Sequence, residues 1–388
     1  MKYVRTHETR DKFLADKDST SRGFRLAPTL YKYSDESEDE DNRDHIYLEL
    51  DDPRKHEGST YMEISLNSDV EFSFYIGNKS GDKQTTMTCT IDWGDDTTET
   101  RTITKDTHGF KLAHNYVAGS YKIELYDVER DYSVVGDGTN YKSLISHPSN
   151  VKRIVLGEGV TSIGSRTFYG CSSLTSIYIP ESVTSIRSYT FTFCNSLTSI
   201  HIPESVTVIE GGAFEGCNSL TSIYIPEGVT IMSGFMFSRC SSLTSVYIPE
   251  SVTYIDYYTF QSCYSLKSIN IPEGVTSIGK YAFNQCTSLK SIYLPEGVTT
   301  INQYTFYRCT SLKSIDIPEK VTSIGDGAFY DCSSLTSISS FNPTTPTLGG
   351  NIFIGLPTNG TLHIKSGATG YDAWLSKLPE GWRIVEDL

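Results

Sequence analysis

The sequence lacks several features that define large classes of protein. No apolar run approaches the roughly 18 residues that span a bilayer, so membrane insertion is excluded. The N-terminal segment is polar and mixed in charge, without the apolar stretch of a secretory signal. The formal net charge is −14. Nucleic acid is therefore excluded as the main partner, because phosphates are bound by clustered Lys and Arg.

Sequence signatures of catalysis are missing as well. The eight histidines form no H-E-x-x-H and no pair at metal-ligand spacing. No phosphate loop, Rossmann glycine pattern or G-x-S-x-G turn is present. Cys194 and His201 could act as a thiol and a base, but Cys194 is one of eight equivalent core positions and His201 is an outward strand position. We expect no enzymatic activity and no cofactor.

The dominant feature of the sequence is a repeat of 23 residues. Phe keeps this step three residues before a repeated Cys, and Leu keeps it three residues after. The cysteines are Cys171, Cys194, Cys217, Cys240, Cys263, Cys286, Cys309 and Cys332. One turn reads C-x-S-L-x-S-I-x-I-P-E-x-V-T-x-I-x-x-x-x-F-x-x. Because such a unit cannot bury its apolar side chains alone, the pattern predicts stacked coils.

Each repeat contains one predicted short strand. Apolar and polar residues alternate over 176–180, so Ile177 and Ile179 point inward, and Pro180 ends the strand because it cannot donate to a ladder. Val183 and Ile186 bring the returning limb back to the core. The predicted fold is therefore mainly β, a solenoid of parallel strands about 4.8 Å apart.

The cysteine ladder has three interpretations. Neighbouring thiols are near enough for disulfides, but stacked side chains run parallel and a bridge would distort the coil. Zinc needs ligands from several directions, which a single row does not provide. We interpret the eight thiols as reduced and buried, packed as small hydrophobic groups.

The repeat resembles a known family. The pattern L-x-x-I-x-I-P-E-x-V-T-x-I, followed by Phe and Cys, is similar to the BspA-like leucine-rich repeats of surface proteins in Bacteroidetes and some protists. The tail strengthens the resemblance over 342–353 and at Tyr371 and Trp374. It implies a leucine-rich-repeat solenoid over 151–346, a C-terminal cap over 347–388, and an adhesive or surface-located role.

A different pattern precedes the repeats. Irregularly spaced β-type segments predict a small antiparallel sandwich over 60–130, followed by a linker and solenoid N-cap over 131–150. The segments are 61–66, 71–76 and 121–126. The motifs CTIDWGDD at 89–96 and HNYVAGSY at 114–121 together resemble the PKD domain, which is immunoglobulin-like. Asp96 stands where the family pattern has Gly.

The motif residues have two interpretations. In the first, Trp93 fills the core and Tyr116 anchors a corner, while Asp92 and Asp95 bond the turn backbone. In the second, Asp92, Asp95 and Asp96 form a calcium site, which the resemblance implies because some PKD domains bind calcium. Their spacing alone does not establish a ligand set.

Residues 1–59 form a predicted acidic N-terminal arm. Its run SDESEDED at 34–41 is typical of a solvated tail. We expect the arm to be bound to a larger assembly or a neighbouring subunit. Deletion of 1–59 is then expected to abolish incorporation while leaving the solenoid folded.

Binding residues are expected where the repeat varies on its exposed faces. A first candidate column lies on the strands: Tyr178, His201, Tyr224, Tyr247, Asn270, Tyr293 and Asp316. A second lies on the return limb: Tyr189, Phe235, Tyr258, Tyr281 and Tyr304. Tyrosine gives a large contact area with a polar tip, and stacked tyrosines also suit sugar rings. The alternative is that stacked aromatics only stabilise neighbouring coils.

Two functional hypotheses follow. The leading one is a non-enzymatic, surface-displayed recognition or adhesion protein that binds protein or carbohydrate on a cell or mucus surface through the solenoid. The alternative is a structural virion protein of a Bacteroides-infecting phage, such as a capsid decoration, head fibre or tail appendage, anchored by its N-terminal region. The family resemblance favours the first, and the missing signal sequence favours the second.

Overall fold

A computed structural model describes residues 60–78, 86–104, 110–126, 132–134, 145–157 and 159–388. The fold of these residues is mainly β, as predicted, and their single α-helix is the short α1 (Asp372–Leu375). The acidic arm predicted at 1–59 lies outside the described residues.

Seven strands precede the repeats: β1 (Thr60–Leu66), β2 (Val70–Asn78), β3 (Thr86–Asp92), β4 (Thr98–Thr104), β5 (Phe110–Tyr116), β6 (Gly119–Tyr126) and β7 (Tyr132–Val134). One antiparallel sheet joins β1 to β6, β6 to β3 and β3 to β4. A second joins β2 to β5 and β7. The strands predicted at 61–66, 71–76 and 121–126 are confirmed as parts of β1, β2 and β6. The immunoglobulin-like assignment stays a prediction.

The repeats form short strands along two sides of a solenoid. In chain order they are β8 (Val151–Val155), β9 (Val160–Ile163), β10 (Ser176–Tyr178), β11 (Ser185–Ile186), β12 (Val208–Ile209), β13 (Ser222–Tyr224), β14 (Ile231–Met232), β15 (Ser245–Tyr247), β16 (Tyr254–Ile255), β17 (Ser277–Ile278), β18 (Thr300–Ile301), β19 (Ser314–Ile317), β20 (Ser323–Ile324), β21 (Ser337–Ser340) and β22 (Thr347–Leu348). The strand face comprises β8, β10, β13, β15, β19 and β21, and the others form the return limb.

Pairing within the solenoid is parallel and follows the 23-residue step. Ile223 pairs with Val246 on the strand face, and Ile186 pairs with Ile209 on the return limb. The coils at 199–201, 268–271 and 291–294 follow the same repeat without forming a regular strand. The prediction of a strand in every coil is therefore wrong for these three coils, although they share the apolar pattern of the others.

Both sheets of the N-terminal region continue into the solenoid. β1 pairs antiparallel with β8, and β7 pairs parallel with β9. The resulting strand orders are β10-β8-β1-β6-β3-β4 and β12-β11-β9-β7-β2-β5. Backbone hydrogen bonds thus cross the predicted boundary at residue 150 on both faces, so strands of the N-terminal region cover the first coil.

The solenoid core consists of identical side chains stacked in columns. Neighbouring Phe rings of the column Phe168 to Phe329 lie 5.3 to 5.7 Å apart between centroids. The repeated Cys and Leu side chains are fully buried beside them. All nine cysteines are free, which confirms the reduced ladder over the disulfide interpretation.

Two positions in each return limb have a left-handed backbone. The first includes Tyr189, Tyr258 and Tyr281, with φ between 57° and 60°. The second lies four residues later and includes Phe193 and Ser262, with φ of 60° and 59°. L-residues adopt this conformation at a cost of about 1 kcal/mol each, so the coil geometry is imposed by stacking.

The C-terminal end of the core is covered by a different structure. β23 (Thr361–Ile364) and β24 (Arg383–Glu386) extend the strand face beyond β21. Phe353 stacks on Phe329 at 6.4 Å, and the fully buried Trp374 of α1 packs against Phe353 at 5.5 Å. Trp374 therefore closes the Phe column.

Candidate recognition surfaces

The strand-face column divides into an exposed and a partly buried section. Asn270, Tyr293 and Asp316 are exposed, and Tyr293 retains 48% of its accessible surface. Tyr178, His201 and Tyr224 are partly buried. The structure therefore places these residues in one row, as the 23-residue step predicts, but they do not present equal surfaces.

Tyr247 corrects the expectation for this column. It is only 4% exposed, because its ring stacks on Tyr224 with centroids 4.7 Å apart. Its hydroxyl donates a hydrogen bond to Oε1 of Glu227 over 2.6 Å. Burial, and then this hydrogen bond to a carboxylate, raise the pKa of Tyr247 well above its usual range. The prediction that Tyr247 is exposed is wrong.

The return-limb column forms a continuous ring stack over four coils. Centroids are 4.8 Å apart for Phe235 and Tyr258, 4.5 Å for Tyr258 and Tyr281, and 4.9 Å for Tyr281 and Tyr304. Interplanar angles of 3°, 6° and 18° show that the rings lie face to face. Tyr189 stands apart, with the Arg166 guanidinium 5.1 Å from its ring centre.

This stacking determines which parts of the rings meet a partner. Inside the stack, each ring face covers the next, so the edges remain for contact. At the end of the stack, the Tyr304 ring covers the backbone of Gly327, where an added Cβ would lie 2.4 Å from the ring. Sugar stacking needs a free ring face, so the geometry favours contacts to ring edges and hydroxyl groups.

A neighbouring return-limb column was missed in the sequence. Val208 and Ile231 are 44% and 47% exposed, and Tyr254 follows them as the register partner of Ile231. Most other coils carry a hydroxyl residue at this position: Ser162, Ser185, Ser277, Thr300 and Ser323. Three apolar residues in a column of Ser and Thr were the signal that could have identified this surface.

Tyr257 joins the two return-limb columns. It is 46% exposed, and its ring meets Phe235 edge-on at 5.2 Å. The ring also covers Gly234, where an added Cβ would lie 3.0 Å from Cζ of Tyr257. We call Val208, Ile231, Tyr254, Tyr257 and Phe235 the apolar patch. An exposed group of this kind on a folded protein is typical of an interaction surface.

The motif residues of the N-terminal region have the structural roles of the first interpretation. Trp93 is 2% exposed, and the Tyr116 hydroxyl donates to the Trp93 carbonyl oxygen over 2.8 Å. Oδ1 of Asp92 accepts the Gly94 N–H at 2.8 Å, and Oδ1 of Asp95 accepts the Thr97 N–H at 3.3 Å. These predictions are confirmed.

The calcium interpretation is not supported by the geometry. Oδ2 of Asp95 already binds Nε2 of His114 at 2.8 Å, and the His114 ring stacks on Trp93. Among the described residues, no group of three or more His, Cys, Asp or Glu is placed to hold a metal ion. Asp92 and Asp95 therefore accept hydrogen bonds from the turn backbone, and Asp96 contributes a left-handed backbone with φ 66°.

The thiol and base weighed in the sequence are not arranged for catalysis. Cys194 is fully buried and donates from Sγ to the Phe168 carbonyl oxygen at 3.3 Å. Burial raises the pKa of the Cys194 thiol well above its usual range. His201 lies on the outer side of the coil and is partly exposed. Cys194 therefore lacks the properties of a nucleophile.

Comparison with known proteins identifies the repeat. The chain matches the family model described as BspA type Leucine rich repeat region, in six copies, over residues 142–267 and 253–369. These residues amount to more than half of the chain. No protein of curated function matches the sequence. Within the described part of the chain, no helix is long and apolar enough to cross a membrane.

Several solved structures are similar to the chain. A leucine-rich cell surface protein of Faecalibacterium prausnitzii is 25% identical, with a TM-score of 0.44, over 79% of this chain and 97% of that one. A leucine-rich repeat protein of Bacteroides ovatus is 23% identical, with a TM-score of 0.33, over 66% and 92%. A leucine-rich repeat protein of T. pallidum is 22% identical, with a TM-score of 0.40, over 61% and 92%.

Proposed function

Because the chain belongs to the BspA-type leucine-rich repeat family, we propose that it is a non-enzymatic recognition protein that binds another protein through the apolar patch. The observation that carries the proposal is the exposure of Val208 and Ile231, at 44% and 47%, where most other coils have Ser or Thr. Repeat proteins use such extended surfaces for binding, since their cores leave only outward positions free to vary.

The chemistry of the patch supports a protein as the partner. Val208 and Ile231 contribute aliphatic side chains and Phe235 contributes a ring edge, which gain free energy when they leave water. The Tyr254 hydroxyl is already hydrogen-bonded to Oδ1 of Asp256 at 3.2 Å. Complete burial of an aliphatic side chain contributes about 1.5–3 kcal/mol. Because Val208 and Ile231 are a little under half exposed, burial of the exposed part of each side chain by a partner would contribute about 1 kcal/mol to the free energy of binding. Both ring faces of Tyr258 and Tyr281 are already covered by their stacked neighbours, which disfavours a sugar on these rings.

Display on a bacterial surface is part of the proposal. The family resemblance supports it, and the N-terminal region supports it structurally, because its sheets are continuous with the solenoid and hold it in a defined orientation. Immunolabelling of intact cells and of phage particles separates this proposal from the virion alternative. Label on cells supports surface display, and label confined to particles supports the alternative.

The binding test replaces Val208 and Ile231 by Ser, the residue found at Ser185 and Ser277 in the same column. We expect the V208S/I231S protein to fold normally and to bind intact bacterial and epithelial cells at least about tenfold more weakly. Protease treatment of the cells should abolish the part of the binding that V208S/I231S lacks. Fluorescently labelled protein and flow cytometry provide the measurement.

The matched control changes the same repeat position outside the patch. Thr300→Ala and Ser323→Ala alter two outward side chains of later coils. This variant should bind as the unmodified protein does. Equal binding by V208S/I231S, with an unchanged circular dichroism spectrum and melting temperature, would contradict the proposed role of the patch.

A further inference from the structure

Three lysines occupy one repeat position in successive coils of the strand face. They are Lys267, Lys290 and Lys313, and we call them the lysine stripe. The Lys290 N–H donates to the Lys267 carbonyl oxygen at 3.0 Å, and the Lys313 N–H donates to that of Lys290 at 3.2 Å. The lysines are therefore direct neighbours across paired backbones, which places successive Cα atoms about 4.8 Å apart.

The charges of the stripe are uncompensated in the described part of the chain. All three side chains are exposed, and none forms an ion pair with a described carboxylate. Like charges on neighbouring coils repel each other, and the repulsion grows as the ammonium groups approach. The coils on either side carry Thr244 and Thr336, which avoid this repulsion. The repulsion between these lysines thus opposes folding, and a bound anion would offset it.

Hydroxyl groups flank every lysine of the stripe. Each of the three coils that carry the stripe has the order Ser-Leu-Lys-Ser, in which the Leu is buried and the Ser after Lys is exposed. The serines are Ser265, Ser268, Ser288, Ser291, Ser311 and Ser314. Ammonium groups donate strong hydrogen bonds to anionic oxygens, and serine hydroxyls both donate and accept. The stripe therefore offers partners for a ligand that carries acidic groups and hydroxyls together.

From this arrangement we propose that the lysine stripe binds an acidic polysaccharide lying along the solenoid axis. An extended acidic peptide repeats its carboxylates on one face about every 6.6 Å, which does not match the spacing of about 4.8 Å. Nucleic acid requires a wider basic surface, which a chain with a net charge of −14 does not provide. A polysaccharide supplies closely spaced acids and the hydroxyl groups that the serines can meet.

The acidic residues near the strand face do not cancel the attraction between the lysine stripe and an acidic polysaccharide. Asp316 lies three residues after Lys313, which at about 3.3 Å per residue is about 10 Å and also exceeds the Debye length of about 8 Å at physiological salt. Glu273, Glu296 and Glu319 lie six residues after the corresponding lysines. At about 3.3 Å per residue this separation approaches 20 Å, beyond the Debye length of about 8 Å at physiological salt. The stripe also lies on the strand face, whereas the apolar patch lies on the return limb. The polysaccharide proposal therefore stands independently of the proposed protein partner.

The test uses the full chain and immobilised polysaccharides. Heparin, polygalacturonate and neutral dextran serve as probes, and K267T/K290T/K313T is the variant, with Thr taken from the neighbouring coils. We expect binding to one or both acidic polysaccharides, none to dextran, and a loss of about tenfold or more in the variant. The slope of log affinity against log salt should fall by about two to three, because three fewer counterion-releasing contacts form. Binding to heparin alone would indicate recognition of sulfate groups. Binding to polygalacturonate alone would indicate recognition of carboxylate groups.

A charge-matched control distinguishes the stripe from general electrostatics. Lys280→Gln, Lys320→Gln and Lys377→Gln remove three exposed charges elsewhere and should leave affinity within about twofold. Poly-L-glutamate tests the acidic-protein alternative. Equal loss in both variants, tighter binding of poly-L-glutamate than of either polysaccharide, or no binding of either acidic polysaccharide would overturn the proposal. V208S/I231S should bind the polysaccharides normally, so failure of the protein-binding proposal is recognisable separately.

Discussion

Sγ of Cys240 donates a hydrogen bond over 3.1 Å to the carbonyl oxygen of Phe214, which lies one coil earlier. The same contact, at 3.1 to 3.3 Å, is made by each other cysteine that follows a complete coil: Cys194, Cys217, Cys263, Cys286, Cys309 and Cys332. The Phe214 carbonyl oxygen also accepts the backbone N–H of Cys217 at 3.2 Å. The cysteine therefore fills the core and gives this buried carbonyl group a second hydrogen bond, which a simple hydrophobic residue would not supply.

We predict that the native thiols are inert. All nine are buried, and burial raises the pKa of the Cys217 thiol to about 12. Because the thiolate is the reactive form, labelling by Ellman's reagent at pH 8 should proceed only as fast as the protein unfolds. The exposed Ser333→Cys variant should react rapidly at one site and provides the control. Rapid labelling of all thiols without denaturant would contradict the prediction.

The left-handed backbone at Tyr258 predicts an unusual order of stability. Tyr258→Ala and Tyr258→Gly both remove the ring, but only Gly relieves the strain at φ 57°. The Gly variant should be more stable than the Ala variant by about 1 kcal/mol in urea unfolding. Thr276, whose φ is not positive, should show the opposite order for the same two substitutions. A more stable Ala variant at Tyr258 would show that this position carries no strain.

Asp96 occupies a position suited to glycine. Its φ is 66°, and the PKD pattern has Gly there. Asp96→Gly should raise the free energy of unfolding by about 0.5–1 kcal/mol, because the strain is removed at an exposed residue. Asp96→Ala should lower it, since Ala tolerates this conformation less well than Asp. Chemical denaturation checks both, and destabilisation by Gly would show that the Asp96 side chain contributes a contact.

The pair Asp95 and His114 predicts acid sensitivity. Burial acts to raise the pKa of Asp95, but hydrogen bonds from Thr97 and His114 outweigh it and lower the pKa below its usual value of 3.8. The stabilisation is therefore present above pH 3.8 and is lost as pH falls through the lowered pKa of the folded state. Asp95→Asn should reduce this loss. Tryptophan fluorescence from pH 5 to pH 2 reports it, and identical acid transitions in the two proteins would exclude the contribution of Asp95.

The core was predictable because every coil places the same residues at the same depth. Phe, Cys and Leu recur at 23 residues, and a column of identical side chains has one way to stack. The left-handed positions had a weaker signal in Gly212 and Gly216, whose φ values are 68° and 69°. Most coils carry other residues there, so the strain was visible only in the structure.

The outward positions were less predictable because exposure depends on neighbouring coils. Tyr247 has the same place in the repeat as Tyr293, yet the Tyr224 ring of the preceding coil covers Tyr247. The preceding coil of Tyr293 carries Asn270 instead, and Tyr293 stays 48% exposed. Val208 and Ile231 were overlooked because a strand pattern alone does not rank one outward column above another. The lysine stripe likewise becomes evident only when successive coils are compared position by position.

The continuity of the two sheets has a mechanical consequence. β1 is hydrogen-bonded to β6 along one edge and to β8 along the other. A pull on Thr60 against the solenoid therefore loads these hydrogen bonds in shear, so that many must break together. A protein tethered at this end and held at its solenoid would transmit tension through β1 without first separating the N-terminal strands from the repeats.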